Sequence, residues 1–143
     1  MAGYSGRSLV DKLGIKPGTA VTILGAPRGY RATLGPLPET SRVKRALGPG
    51  LAIVQFFTKS RQELASRFPA LARSLAPDGA LWISWPKGSS GVPTDLTESV
   101  VRAVGLAAGL VDVKVCAVDD TWSGLKFVHR LRDRPGGGSS GRR

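Results

Sequence analysis

The sequence predicts a three-layer α/β fold, in which helices cover both faces of an open, mostly parallel sheet that ends in an antiparallel hairpin. Residues 51–57 are almost continuously apolar, which is typical of a parallel strand buried on both faces. Strand and helix patterns alternate along the chain, and two strand patterns follow one another directly at its end. This order favours an α/β sheet over a sandwich or a helical bundle.

The first predicted elements are short. Ser8 is followed by an acid three residues later, which is the spacing of a helix N-cap, and Gly14 ends this helix. An apolar run predicts a strand at 21–24, which leads into a glycine-containing turn at 25–29. A further short strand, with fewer apolar residues, is predicted at 41–45.

A longer helix follows the central strand. The segment Ser60-Arg61-Gln62-Glu63 is a capping box, and apolar residues at helical spacing come after it. Pro69 should kink this helix or start a second one. We expect the segment 76–79 to end the helix as a turn, before a strand at 80–85.

The last predicted helix and the hairpin complete the sheet. A loop rich in turn formers at 86–93 precedes Thr94 and Asp95, either of which should cap a helix that ends at Gly109. The hairpin then consists of a strand, a turn and a strand at 110–118, 119–124 and 125–131.

Composition indicates one compact domain. The chain has 143 residues, of which 41% are hydrophobic, and this leaves little room for a second core. We expect the domain at 8–132, a flexible segment at 1–7 and a flexible glycine, serine and arginine tail at 133–143. One cysteine and one histidine suit a reducing compartment without structural zinc. The sequence has no apolar run of about 18 residues and no signal-peptide pattern, so we expect a cytoplasmic protein without membrane contact.

The net charge of +11 is unevenly distributed along the sequence. Residues 1–73 carry twelve basic and three acidic side chains, residues 74–120 carry three and six, and residues 121–143 carry six and one. The basic excess therefore lies at the two ends. It is compatible with weak, non-specific binding of nucleic acid, and equally with the arginine-rich composition of a GC-rich genome.

Four segments resemble a bacterial family of small proteins that is catalogued as a domain of unknown function. The resemblance covers nearly all of the predicted domain and implies no activity. Its segments are 13–18, 24–27, 91–97 and 113–124.

The order of elements is similar to that of the class I S-adenosylmethionine-dependent methyltransferases, which have a Rossmann-like sheet. The similarity rests on the segment 15–18 before the first strand, on the segment 75–82, and on the closing hairpin. Only residues 26–50 separate the first strand from the strand at 51–57, where that family places two further helix and strand units. The resemblance therefore implies a shortened methyltransferase-like fold that lacks at least one unit.

The residues at the implied cofactor site depart from the pattern of that family. Its glycine-rich turn after the first strand is matched only by Gly25 and Gly29, and Pro27 between them has no N–H to donate. The segment 41–46 contains no acid that could hold the ribose of the cofactor, and Phe57-Thr58-Lys59-Ser60 replaces the acceptor motif of the amino-group methyltransferases. We therefore predict no cofactor, and S-adenosylmethionine is the one to test.

A ligand site is expected where the parallel strands end, because open α/β sheets bind ligands outside the carboxyl ends of their strands. The loops at this edge offer cations, hydroxyls, carboxylates and an aromatic ring, which together suit a polar, anionic or zwitterionic ligand. The candidate residues are Gly25, Arg28, Gly29, Thr58, Lys87, Ser89, Ser90, Asp95, Asp119, Asp120 and Trp122.

Several candidates also have a purely structural interpretation. Asp95 is placed to cap a helix, and Asp119 and Asp120 are typical residues of a hairpin turn. Lys87 suits a solvated loop. Trp122 suits either packing against the core or stacking on a ligand.

Three functions compete at this point. The first, which we favour, is a catalytically degenerate methyltransferase-like domain that binds a small polar ligand or a protein partner at the carboxyl edge of its sheet. The second is a minimal methyltransferase, or another enzyme that uses Lys87, Asp95 and Asp119 or Asp120. We expect His129 and Cys116 to be packed and unreactive in either case. The third is non-specific nucleic-acid binding through the tail arginines and Arg28, Arg31, Arg42, Lys44 and Arg45.

Overall fold

A computed structural model describes residues 7–131 as a six-stranded sheet with helices on both faces. The strand order is β2-β1-β3-β4-β6-β5. Strands β1 to β5 run in one direction, and β6 is antiparallel to both of its neighbours. The predicted fold class is confirmed. The flexible ends predicted at 1–7 and 133–143 lie outside the described residues, except for Arg7.

The elements are bounded as follows. The strands are β1 Ala20–Leu24, β2 Arg42–Lys44, β3 Leu51–Phe57, β4 Leu75–Pro86, β5 Leu110–Ala117 and β6 Trp122–His129. The helices of the described chain are α1 Leu9–Leu13, α2 Tyr30–Leu34, α3 Arg61–Ser74 and α4 Glu98–Ala107, with a short 3-10 turn at Gly88–Ser90.

Two hydrophobic layers enclose the sheet. Helices α1 and α2 pack on one face, against residues such as Val21, Ile53 and Trp82. Helices α3 and α4 pack on the other face, against residues such as Val54 and Phe56. Strand β3 lies between β1 and β4 and is buried at every position except Ala52. The apolar run in the sequence therefore marks a central strand, as predicted.

Three elements differ from the sequence prediction. Helix α2 was not predicted, because it has five residues and begins after Gly29 without a side-chain cap. Helix α3 is one helix that continues through Pro69. Strand β4 begins at Leu75, and residues 76–79 form an irregularity in its pairing with β3 instead of a separate turn. A Cβ at Gly79 would lie 2.6 Å from the Leu51 carbonyl oxygen, so this close pairing requires glycine.

The last helix and the hairpin also begin at other residues than predicted. Thr97, and neither Thr94 nor Asp95, is the N-cap of α4, and its hydroxyl oxygen accepts from the Val100 N–H at 3.2 Å. Strand β6 already begins at Trp122, so the turn of the hairpin is shorter than predicted.

Helix α4 packs on β6 at Gly105. A Cβ there would lie 2.0 Å from the ring of Phe127, which is fully buried and packs edge to face on Phe68 at 5.4 Å. Gly105→Ala is expected to lower the free energy of unfolding by about 1–3 kcal/mol in urea denaturation, because the enclosed ring has no space to move into. Alanine's higher helix propensity offsets roughly 1 kcal/mol of this loss.

Gly48→Ala is the matched control. Its Cβ would meet no atom within 4 Å, and the φ angle of Gly48 is not positive. We expect the free energy of unfolding of Gly48→Ala to lie within about 0.5 kcal/mol of that of the wild-type protein. Equal stabilities for the two variants would contradict the close packing of α4 on β6.

Candidate functional site

The carboxyl ends of β1, β3, β4 and β5 meet at one edge of the sheet. Leu24 at the end of β1 pairs with Phe56, and Phe57 at the end of β3 pairs with Ser84 of β4. Strand β6 runs the other way, so its first residue, Trp122, lies at the same edge. The loops that hold the candidate residues therefore follow strands that end together.

A cavity of about 470 Å³ opens at this edge, beside the ends of β1 and β2 and against α2. We call it the β1/β2 cleft. The chain leaves β1 for β2 on one side and then crosses to β3 on the other, so the switch point at which open α/β sheets bind ligands lies between β1 and β3. The cleft opens beside this point, on the β2 side. Its lining includes Gly25, Gly29, Tyr30, Arg31, Val43 and Arg45.

Gly25 determines how the chain leaves β1. Its φ angle is +70°, and a Cβ on this residue would lie 2.7 Å from the Phe57 carbonyl oxygen. Any side chain here would collide with the backbone of β3. Four residues later Gly29 is the N-cap of α2, and the Tyr30 N–H donates to the Pro27 carbonyl at 3.1 Å. The glycines of this turn thus shape the wall of the cleft.

A buried chain of polar groups holds Tyr30, which lines the cleft. The Tyr30 hydroxyl donates to Gln55 Oε1 at 2.7 Å, and Gln55 Nε2 donates to Ser84 Oγ at 3.2 Å. All three residues are buried. Burial raises the pKa of the Tyr30 hydroxyl, so it stays protonated and acts as the donor to Gln55. These bonds join α2 to β3 and β4.

Three aromatic rings lie in a row beside this chain. Tyr30 and Phe57 meet edge to face at 4.7 Å, and Phe57 meets Trp122 edge to face at 5.1 Å. Trp122 is only 9% exposed and belongs to the core on the α1 and α2 face. Its ring is therefore used in packing, which was one of its two interpretations.

The candidate carboxylates are largely engaged by backbone. Asp119 Oδ1 accepts from the N–H groups of Thr121 and Trp122 at 2.8 Å each, which forms the hairpin turn. Asp120 is exposed. Asp95 Oδ1 accepts from the Arg61 N–H at 2.8 Å, so Asp95 caps α3 and not the helix that follows it.

The candidate hydroxyls are also engaged. The Thr58 hydroxyl donates to the Glu63 carboxylate and accepts from the Ser60 N–H, which completes the cap of α3. Ser90 Oγ donates to the Lys87 carbonyl at 2.7 Å and accepts from the Val92 N–H at 3.1 Å.

The remaining candidates lie on the loops at this edge. Lys87 is partly buried, and Ser89 and Arg28 are exposed. Gly25 and Gly29 are the predicted candidates that line the β1/β2 cleft.

Sequence reasoning missed the charged rim of the cleft. Arg31 and Arg45 were both assigned to the basic surface, because α2 was not predicted and the segment of Arg45 was otherwise noted only for its lack of an acid. Arg45 directly follows β2, and this position after a strand is the signal that identifies it.

Other reactive groups lie elsewhere. Cys116 is partly buried on β5, and burial raises the pKa of its thiol, so the nucleophilic thiolate is disfavoured. Residues 7–131 contain no group of three or more potential metal ligands. No helix in this range is long and apolar enough to cross a membrane.

Solved structures with the same fold include several methyltransferases. One from Aquifex aeolicus superposes with a TM-score of 0.62 at 16% identity, covering 83% of this chain and 86% of that one. The protein bound to the Haloferax volcanii methyltransferase activator gives 0.60 at 12% identity, covering 85% and 87%. The magnesium protoporphyrin IX methyltransferase of Synechocystis PCC 6803, with bound S-adenosylhomocysteine, gives 0.55 at 14% identity, covering 85% and 78%.

The similarity confirms a methyltransferase-like fold. No protein-family model and no curated protein sequence matches the chain. The resemblance to a bacterial family of unknown function therefore stays a prediction.

The residues of the cleft do not fit S-adenosylmethionine. The cofactor carries a sulfonium and an ammonium group against one carboxylate, so its net charge is positive. Arg31 and Arg45 line the β1/β2 cleft, and its lining residues include no carboxylate. The residue after β2 is a cation where the resemblance implies an acid for the ribose, and Pro27 supplies no N–H.

The cap formed by Asp95 can be tested directly. Asp95→Ala is expected to lower the free energy of unfolding by about 0.5–2 kcal/mol in urea denaturation, because the first N–H of α3 loses its acceptor. Asp95→Asn keeps an oxygen at that place and should retain most of the stability. If both variants lost stability equally, the carboxylate charge would matter more than the hydrogen bond.

Proposed function

We propose that this methyltransferase-like domain has lost methyl transfer and binds a small polar ligand in the β1/β2 cleft. The observation that carries the proposal is the charge of the cleft, which contains two arginines and no carboxylate among its lining residues. Such a rim repels a cationic cofactor and favours a ligand with a net negative charge.

The acceptor side of the site supports the same conclusion. Thr58 follows β3, where those class I methyltransferases that act on amino groups carry their acceptor motif. Its hydroxyl is bonded to the Glu63 carboxylate and the Ser60 N–H, and the residue is 4% exposed. Thr58 therefore holds α3 in place and is poorly accessible to a substrate.

A protein partner is the second candidate, and one observation favours it. Strand β5 lies at an edge of the sheet, and its Val113 and Val115 are 54% and 47% exposed. Exposed apolar residues on an unpaired edge are suited to pairing with another chain. A domain that only binds a protein along β5 would bind no small ligand in the β1/β2 cleft.

Isothermal titration with S-adenosylhomocysteine tests the loss of the cofactor. We expect no saturable heat up to about 1 mM ligand, because Arg45 follows β2 in place of an acid for the ribose hydroxyls and Pro27 supplies no N–H. S-adenosylmethionine should give the same result. Cooperative thermal unfolding of the same sample serves as the control for a folded protein.

Saturable binding of either compound in the micromolar range would contradict the proposal. It would show that the altered glycine turn and the cation after β2 still accept the cofactor, and methyl transfer would then become the function to examine.

A further inference from the structure

We infer that the β1/β2 cleft binds a phosphorylated small molecule of mononucleotide size, with Arg45 and Arg31 as the contacts to its phosphate. This inference rests on the proposed function, because it names the class of ligand for the same cleft. It is carried by the charge of the rim, the position of Arg45 in the fold and the apolar lining.

The two arginines are not neutralised by the protein. Both are exposed, and the ion pairs among residues 7–131 join Arg102 to Glu98 and Asp112 instead. Arg31 Nη1 donates to the Gly35 carbonyl at 3.3 Å, which leaves most of its N–H groups available. Two cations that line one cavity repel each other, and an anion between them relieves the repulsion.

The position of Arg45 is the one at which open α/β sheets distinguish nucleotide ligands. It directly follows β2 and lines the cleft together with Val43 of the same strand. In dinucleotide-binding sheets an acid in this region binds the ribose hydroxyls, whereas an arginine accommodates a phosphate on the ribose. A guanidinium group also matches phosphate oxygens with paired N–H donors.

The other residues that line the cleft are suited to contact the part of the ligand that carries the phosphate. Ile23, Leu24, Pro27 and Val43 provide apolar surface, and the volume of about 470 Å³ lies within the range of small-molecule sites. The Tyr30 hydroxyl is already bonded to Gln55, so the recognition of charge is left to the arginines. Inorganic phosphate alone would leave the apolar surface uncovered.

The test is isothermal titration of the full chain with AMP, GMP, CMP and UMP, with the corresponding nucleosides, and with inorganic phosphate. We expect at least one mononucleotide to bind saturably and at least tenfold more tightly than its nucleoside and than phosphate. Arg45→Gln and Arg31→Gln should each weaken this binding by about tenfold or more, because each removes a charge-assisted hydrogen bond.

Arg73→Gln is the matched control. Arg73 is exposed in the last turn of α3, which packs on the other face of the sheet. The Arg73→Gln variant should bind the mononucleotide with the affinity of the wild-type protein. Amide chemical shifts should change at Gly25, Gly29 and Arg45, and not along α3.

Several results would overturn the inference. They are the absence of mononucleotide binding at millimolar concentration, equal affinity for nucleoside and nucleotide, and equal losses in Arg45→Gln and Arg73→Gln. Tighter binding of a single-stranded oligonucleotide, with a steep dependence on salt, would also overturn it in favour of a polymeric ligand.

The phosphate ligand and the loss of the cofactor can be refuted separately. If neither the nucleotides nor S-adenosylhomocysteine gave saturable heat, the inferred phosphate ligand would be refuted. The proposed loss of the cofactor would still agree with the data. Micromolar binding of S-adenosylhomocysteine would remove the proposed function, whatever the nucleotides do.

Discussion

Where β1 ends, its backbone lies so close to β3 that a side chain has no space, since a Cβ at Gly25 would be 2.7 Å from the Phe57 carbonyl oxygen. The positive φ angle of Gly25 turns the chain out of the sheet at this point, towards α2. Helix α2 in turn places Tyr30 over the central strand and Arg31 at the rim of the cleft. The shape of the candidate site therefore depends on one close approach between two parallel strands.

The central strand carries a second constraint. Gln55 is fully buried in β3, and a buried carboxamide is costly unless its groups are hydrogen-bonded. Tyr30 supplies the donor from α2 and Ser84 the acceptor from β4, so three elements are held by one side chain. Tyr30 in the wall of the cleft is thereby held in place, while Arg31 and Arg45 at its rim stay exposed.

The sequence predicted those elements whose signals are local. Strand β3 was predicted with its bounds because both of its faces are buried, and the cap of α3 because Ser60 and Glu63 are neighbours. Helix α2 was missed because its position comes from tertiary packing of Tyr30, without a capping side chain. Asp95 was assigned to the wrong helix because its partner, Arg61, is 34 residues away in the chain.

For the candidate site too, only the local part could be predicted. The ends of the strands indicate where a cleft lies, but its chemistry depends on side chains from separate elements. Arg45 follows β2 and Arg31 lies in α2, and no sequence spacing relates the two. A carboxylate after β2 would accept hydrogen bonds from ribose hydroxyls, whereas a guanidinium group only donates and attracts anions. We therefore propose that the shared fold preserves the place of binding and that the charge at its rim selects the ligand.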